Sequence, residues 1–350
     1  MTRYFKAPTS SSPPLYHNGT QIYKTLSKAE LLARKFEQSH HLTLHMVSHN
    51  HSVNLARHGK TFFRKTPLIP PHTPPHTLYK PLRSTAQDFI AQTRCSPGND
   101  GITSIILRHL SQKALFYLTR LFNHFLHTGY FPNAWKHAKV ISILKHAKPP
   151  TDPTSYKSIN LLSVTGNLFE RIIANRLTTL ANQLHLLPDE QFGFRKKHST
   201  VSQLARIIDY ITYGFKLHKH TGMASLDFEK AYDTIWIQGL LYKPISLQLP
   251  PYLIYILRAF LVERSFTVQI NNASSIPKHP PAGLPQEAVL STTLFALYIS
   301  DIPHPPKTHL ALYADDTALL VQSWRTDTVA RRLLMPWISF TDILQNGNFA

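Results

Sequence analysis

His309-Leu310-Ala311-Leu312-Tyr313-Ala314-Asp315-Asp316-Thr317-Ala318-Leu319-Leu320-Val321 sets two adjacent carboxylates between two short apolar runs. Apolar runs flanking a compact polar break read as a tight hairpin, with both aspartates at its tip. Isolated carboxylates among apolar neighbours are costly to keep ionised, so paired ones usually bind metal or share a proton. The plainer reading is an Asx turn on the surface. The rest of the chain has to decide between them.

A partner lies upstream, in Leu226-Asp227-Phe228-Glu229-Lys230-Ala231-Tyr232-Asp233. Ala224-Ser225-Leu226-Asp227-Phe228 reads as a strand ending in a carboxylate, and Asp227 alone would pass for a helix cap. An apolar strand, an Asp and an aromatic five residues on resemble the first metal-binding motif of template-directed polymerases. The physics supports the combination of Asp227 with Asp315 and Asp316. Mg²⁺ is a hard cation, so three carboxylates plus triphosphate oxygens suit it better than histidines would. Two ions about 4 Å apart can activate a 3′-hydroxyl, stabilise the in-line phosphoryl transition state and hold the leaving pyrophosphate.

Composition narrows the partners. Lys and Arg total 38 against 19 Asp and Glu, a formal net charge of +19, and hydrophobic residues make up 43% of the 350. Such a chain buries a substantial core and favours a polyanion, nucleic acid first and an acidic membrane surface second. No uninterrupted apolar stretch is long enough to span a bilayer; the best, Tyr252 to Val262, is short and carries Arg258. Met1-Thr2-Arg3-Tyr4-Phe5-Lys6 lacks the apolar segment of a secretory signal. The single Cys95 excludes an internal disulfide framework and fits a reducing compartment, nucleus or cytosol, rather than secretion.

The chain changes character along its length. Residues 7 to 85 are rich in Pro, Ser, Thr and His, as in Ser10-Ser11-Ser12-Pro13-Pro14 and Pro70-Pro71-His72-Thr73-Pro74-Pro75-His76, and read as linker around one helix, Leu26 to Glu37. From about residue 86 the pattern is globular. Helices are predicted over Leu115 to Leu126, Asn167 to Leu187 and Ser202 to Leu217, and a strand over Val140 to Leu144. Phe266 to Ile270, the turn Asn271-Asn272 and the segment before Pro277 read as a hairpin. Helices mixed with short antiparallel strands give an α+β class.

Further stretches join the aspartates in a fixed order over about residues 87 to 335. Ser96-Pro97-Gly98-Asn99-Asp100-Gly101-Ile102 is followed by Gly129-Tyr130-Phe131-Pro132-Asn133-Ala134-Trp135-Lys136, by Val140 to Lys148 and by Ser155 to Leu162. Next come Phe169-Glu170-Arg171, Asn175-Arg176-Leu177 and Pro188-Asp189-Glu190-Gln191-Phe192-Gly193-Phe194-Arg195-Lys196-Lys197-His198-Ser199-Thr200. After Asp227 stand Ala282-Gly283-Leu284-Pro285-Gln286, Leu294 to Pro303 and Tyr313-Ala314-Asp315-Asp316. Taken together, these motifs resemble the reverse transcriptase of non-LTR, LINE-type retrotransposons, most closely the jockey group. A Tyr-x-Asp-Asp alone is weak evidence; seven or more such motifs in order are strong.

The resemblance implies a right-hand polymerase with fingers and palm, an antiparallel palm sheet flanked by helices, and a thumb largely missing. It implies RNA-directed DNA synthesis: extension of a DNA primer on an RNA template from deoxynucleoside triphosphates, with two Mg²⁺ ions or Mn²⁺ as substitute. Asp227, Asp315 and Asp316 would be the catalytic metal carboxylates, Asp315 the more direct of the adjacent pair. Phe228, Tyr232, Gln286 and Tyr313 would lie at the nucleotide, the Tyr232 ring excluding a 2′-hydroxyl. Lys145 and Lys157 would grip the triphosphate. Phe194, Arg195, Lys196 and Lys197 mix stacking surface with charge, as binding to a single strand needs. Tyr232 and Tyr313-Ala314 disfavour an RNA-templated RNA polymerase.

The departures from the family pattern carry a second reading. Glu287 follows Pro285-Gln286 where the family has glycine, adding bulk and negative charge near a polyanion. Lys157 replaces an arginine, Ser158 and Thr292 stand where prolines are common, and Ile237 replaces a histidine. Pro244 interrupts a segment the family keeps helical, at a cost of about 3 kcal/mol. These changes fit a catalytically impaired, nucleic-acid-binding remnant of the same element. By resemblance, residues 1–85 form a connecting segment without the upstream endonuclease, 86–332 the fingers and palm, and 333–350 a divergent tail. Separately, His41, His45 and His49 share a helical face at a spacing that can suit zinc, without a nearby Cys or acidic cluster.

Overall fold

The computed structural model describes residues 12–40, 49–66, 96–195, 197–228, 230–302 and 306–334. In chain order the helices are α1 (Thr25–Ser39), α2 (His49–Lys65), α3 (Ser104–Arg108), α4 (Gln112–Thr128), α5 (Asn133–Lys136), α6 (Val164–Gln183), α7 (Thr200–Lys216), α8 (Ile237–Ser246), α9 (Pro251–Leu261) and α10 (Val289–Tyr298). The strands are β1 (Leu15–His17), β2 (Thr20–Ile22), β3 (His137–Leu144), β4 (Tyr156–Leu161), β5 (His220–Leu226), β6 (Ser265–Ile270), β7 (Ala273–Ser274), β8 (Thr308–Tyr313) and β9 (Asp316–Ser323). Helices thus mix with antiparallel and mixed sheets, as the α+β pattern predicts. The described residues divide into two compact units, each taken by itself below.

The first unit holds residues 12–40, 96–173 and 250–289. Its sheet has the order β4-β3-β6-β7, with β3 antiparallel to β4 and parallel to β6. Period-2 patterning explains β3: Ala138 and Val140 are buried while Ile141 and Ile143 are exposed. An aromatic cluster fills the core beside it. Phe169 packs against Phe122 at 5.0 Å and Phe131 at 5.7 Å between ring centroids, and Phe131 meets Phe260 edge-on at 5.3 Å. Arg264 is buried in this unit, donating to the Phe260 carbonyl at 3.1 Å. Burial pulls its guanidinium down to about 10, and the charge of buried Glu170 works against that fall.

The second unit holds residues 49–66, 174–249 and 290–334. Its antiparallel sheet has the order β5-β9-β8. Leu310, Leu312 and Leu319 form one core cluster of its β8–β9 hairpin, and their neighbours Ala311, Leu320 and Val321 are buried as well, so the hairpin is covered on both faces along these runs.

The elements follow the sequence closely, with informative exceptions. The helix expected over Leu26 to Glu37 is α1, and the apolar run Tyr252 to Val262 is α9, whose Leu253, Ile254, Ile256, Leu257 and Phe260 are all buried core. Among the described residues no helix is long and apolar enough to cross a membrane. Pro244 does not interrupt its segment. It lies buried within α8, which continues to Ser246, and its missing N–H forgoes the backbone bond to the Leu240 carbonyl. Pro70 to His76, His41 and His45 lie outside the described residues, and so does Lys196.

Glu287 has a clear structural consequence. The Ala288 N–H donates to the Pro285 carbonyl at 3.3 Å, closing a turn whose third residue, Glu287, has φ 66°. A type II turn demands positive φ at that position, where glycine is free of strain and a residue with a Cβ is not. Glu287→Gly is therefore expected to raise stability by about 0.5–1 kcal/mol, read from the midpoint of chemical denaturation.

Candidate active site

The decisive hairpin forms as its sequence predicts. Tyr313 pairs with Asp316, leaving Ala314 and Asp315 as a two-residue turn between β8 and β9. Ala314 takes φ 57°, a left-handed conformation costing about 1–2 kcal/mol for a residue with a Cβ. β5 lies along the other side of β9, with Leu226 opposite Thr317. Continuing that antiparallel register by one residue sets Asp227 alongside Asp316. Asp315 is half-buried, whereas Asp227 and Asp316 are exposed. The backbone therefore brings the three aspartates to one end of one sheet.

What holds the turn is a residue that the aspartate motif does not announce. Gln191 is buried, and its Oε1 accepts the backbone N–H of Ala314 at 3.1 Å and of Gly193 at 2.7 Å. Its Nε2 lies 3.5 Å from the Ala314 carbonyl. The loop around it continues onto β8: Leu312 donates to the Glu190 carbonyl at 3.1 Å and accepts from the Phe192 N–H at 2.9 Å. Buried Gln203 of α7 reinforces the junction, its Nε2 reaching both the Glu190 and Leu312 carbonyls. Gly193 permits the approach, since a Cβ there would stand 2.1 Å from the Ala314 nitrogen.

Tyr232 lies against this end of the unit. Its ring stacks on Phe295 of α10, 4.7 Å between centroids and 18° between planes. Burial raises its hydroxyl well above the ordinary tyrosine value, and the negative charge of Asp315 adds to the rise. The side chain is thus a fixed, protonated aromatic within the electrostatic reach of the half-buried aspartate.

Comparison with known proteins gives the family. The family model described as reverse transcriptase (RNA-dependent DNA polymerase) matches residues 143–338. The chain belongs to the reverse transcriptase family. It is 34% identical to the RNA-directed DNA polymerase from mobile element jockey of Drosophila melanogaster, over 92% of this chain and 35% of that protein. It is 38% identical to the probable RNA-directed DNA polymerase from transposon BS of the same fly, over 68% of this chain and 27% of that protein. The probable polymerase from transposon X-element, also of that fly, is 31% identical over 90% of this chain and 34% of its own length. These relatives place the chain among the non-LTR retrotransposon reverse transcriptases, and it spans about a third of their length or less.

The remaining residues that the sequence singles out fall into two groups. With the aspartates, in the second unit, stand half-buried Phe228 and Tyr313, together with Phe194, Arg195 and Lys197. Phe194 is 50% exposed, and exposed Lys197 takes φ 65°. Arg195 turns inward instead: its Nη1 donates to the Pro188 carbonyl at 2.9 Å and the Gln191 carbonyl at 3.3 Å, bracing the loop beneath the aspartate turn. Lys145, Lys157 and Gln286 belong to the first unit. Lys145 follows β3 and Lys157 lies on β4 opposite Ile143; both are exposed, and the Lys145 ammonium donates to the Thr154 carbonyl at 3.3 Å. Gln286 lines a cavity of about 40 Å³ with Gly283 and Arg264, and its carbonyl accepts from Asn160 Nδ2 at 3.4 Å.

The fit of the carboxylates to a cation can be judged by chemistry and placement. All three donors are oxygen, the preference of a hard divalent ion, and the register brings their backbones to one strand end. Among the described residues, however, no three His, Cys, Asp or Glu side chains are gathered as a ready metal-holding group.

The raised Tyr232 hydroxyl has a consequence for stability. A folded-state value above the unfolded one means that the protonated form favours folding, fully below pH about 10 and less as pH rises beyond it. Tyr298 and Tyr210 of the same unit are also raised by burial and share this loss. Tyr232→Phe should make the fall in stability above pH 10 shallower, measured as denaturation midpoints between pH 8 and 11.

Proposed function

We propose that residues 86–332 form the fingers and palm of an RNA-directed DNA polymerase, with Asp227, Asp315 and Asp316 as the carboxylates that hold divalent cations, Mg²⁺ by preference. The observation that carries this reading is the sheet register that sets Asp227 alongside Asp316 next to the half-buried Asp315. Exposed Asp227 and Asp316 have side chains free to turn toward a cation on a fixed backbone. When bound, the ions supply activation of the primer 3′-hydroxyl and neutralise charge developing on the transferred phosphoryl group.

The chain's own residues supply position and shape. Tyr232, fixed against Phe295, gives a rigid ring on which a deoxyribose can rest and against which a 2′-hydroxyl would clash. Phe228 and Tyr313 flank the aspartates in sequence and complete the walls of that site. Lys145 and Lys157 are exposed cations suited to triphosphate oxygens, and Gln286 suits a polar contact at the nucleotide. Phe194 and Lys197 offer stacking surface and charge to a single strand, with Arg195 supporting their loop.

A second reading, a catalytically impaired nucleic-acid-binding remnant, is favoured by one observation: Glu287 occupies a positive-φ turn position that suits glycine. Primer extension on an RNA template with deoxynucleoside triphosphates and Mg²⁺ separates the two. The polymerase reading expects incorporation that drops on the order of 10³-fold in Asp315→Ala and Asp227→Ala, a loss of several kcal/mol of transition-state stabilisation. Incorporation by the unaltered chain no greater than by Asp315→Ala would refute it.

A further inference from the structure

Helix α4 carries aromatic rings on both of its faces, and only one face is accounted for by the core. The helix is well defined at each end: Ser111 Oγ accepts the Ala114 N–H at 3.2 Å, and Gly129 closes it at φ 59°. Its inner face buries Phe122, Asn123 and Leu126, with Phe122 against Phe169 and Trp135. Its outer face places Lys113, Phe116, Tyr117, Arg120, Leu121 and His124 at the i, i+3, i+4, i+7, i+8 and i+11 positions of one stripe.

All six are exposed, Phe116 at 55%, Tyr117 at 56% and Leu121 at 43%. The Arg120 guanidinium carbon lies 5.9 Å from the centre of the Phe116 ring, so cation and ring form a joint surface. The stripe runs about 16 Å along the helix, enough for a few nucleotides. From Asp100 to Asp152 the chain contains no other Asp or Glu, so no carboxylate of this segment offsets the charge of Lys113 and Arg120.

Exposed aromatics alone would suit any apolar partner. Interleaved with cations that no carboxylate of their own segment offsets, they match a polyanion that also presents flat π-faces, which is a single-stranded nucleic acid with its bases unstacked. A second copy of the chain would bring like charge against like charge. We propose that the outer face of α4 is a stacking platform for single-stranded RNA, Phe116 and Tyr117 receiving bases while Lys113 and Arg120 meet phosphates. This deepens the polymerase reading by naming a surface for the template strand, separate from the carboxylate site. Phe116 and Tyr117 have two side-chain torsions each, so holding them against a base costs little entropy.

The test measures binding of fluorescent mixed-sequence single-stranded RNA, and of a matched RNA duplex, across a salt series. Circular dichroism melts check that each variant is folded. Phe116→Ala/Tyr117→Ala should weaken single-strand binding about 10-fold or more without changing the salt slope. The same pair should leave duplex binding nearly unchanged, since paired bases cannot stack on the rings. Phe116→Trp/Tyr117→Trp should retain single-strand affinity. Lys113→Gln/Arg120→Gln should lower the magnitude of the salt slope by about 1.4, the change expected when two phosphates are no longer neutralised.

Single-strand affinity unchanged in the alanine pair, or an equal loss on duplex, would overturn the proposal. So would alanine variants that lose self-association in sedimentation, or binding to anionic vesicles, while keeping RNA affinity. Asp315→Ala should bind RNA as the unaltered chain does. Failure of primer extension with aromatic-dependent RNA binding intact would therefore sink the polymerase reading and leave this surface standing.

Discussion

The side-chain amide of Gln191 is the constraint on which the aspartate turn depends. Ala314 sits in a left-handed conformation that a residue with a Cβ adopts only under compulsion. Its N–H would be an orphan in a buried position without a side-chain acceptor, and Gln191 Oε1 supplies one while also holding Gly193. An unpaired buried amide costs about 1–3 kcal/mol, comparable to the backbone strain it secures. The two carboxylates are thereby carried on a turn with few alternative shapes. Rigid support of this kind is what charge-stabilising chemistry requires of its first contacts.

The same loop unites three layers of the second unit. Gln191 reaches the turn, Glu190 and Phe192 pair with Leu312 of β8, and Gln203 anchors the loop to α7. Arg195, whose charge suggests a nucleic-acid contact, spends one arm of its guanidinium on the carbonyls of Pro188 and Gln191. Gly193 belongs to this logic for a steric reason, since any side chain would enter the Ala314 backbone. The motif from Pro188 to Thr200 is thus a brace for the Asp315 turn as much as a surface of its own.

How much of this was legible in the sequence follows from the range of each interaction. The two apolar runs that flank the polar break between His309 and Val321 are a local pattern, so the hairpin and its aspartate tip could be read directly, as could the strand leading to Asp227. The helical spacing of α1, α4 and α6 was equally plain. Gln191 and Ala314 are far apart in the chain, and nothing in the local pattern of either points to the other. Pro244 misled because the packing of α8 carries the helix through it: Pro244 is buried and the helix runs on to Ser246, although the bond its missing N–H would make is lost. Glu287 was recognised as a departure by resemblance, but its physical meaning, a side chain at a positive-φ turn position, needed the backbone. The outer face of α4 escaped because a helical period reports which residues align, not which side the core leaves uncovered.

The most direct measurement is the hydrogen-exchange rate of the Ala314 backbone amide in the unaltered chain and in Gln191→Ala. If the carboxamide holds the aspartate turn, the variant should lose about one bond's worth of protection at Ala314 and Gly193, roughly 10-fold faster exchange. Amides of the buried α9 core should exchange as before. Equal Ala314 exchange in both proteins would contradict the account, because the turn would then be held by something other than Gln191.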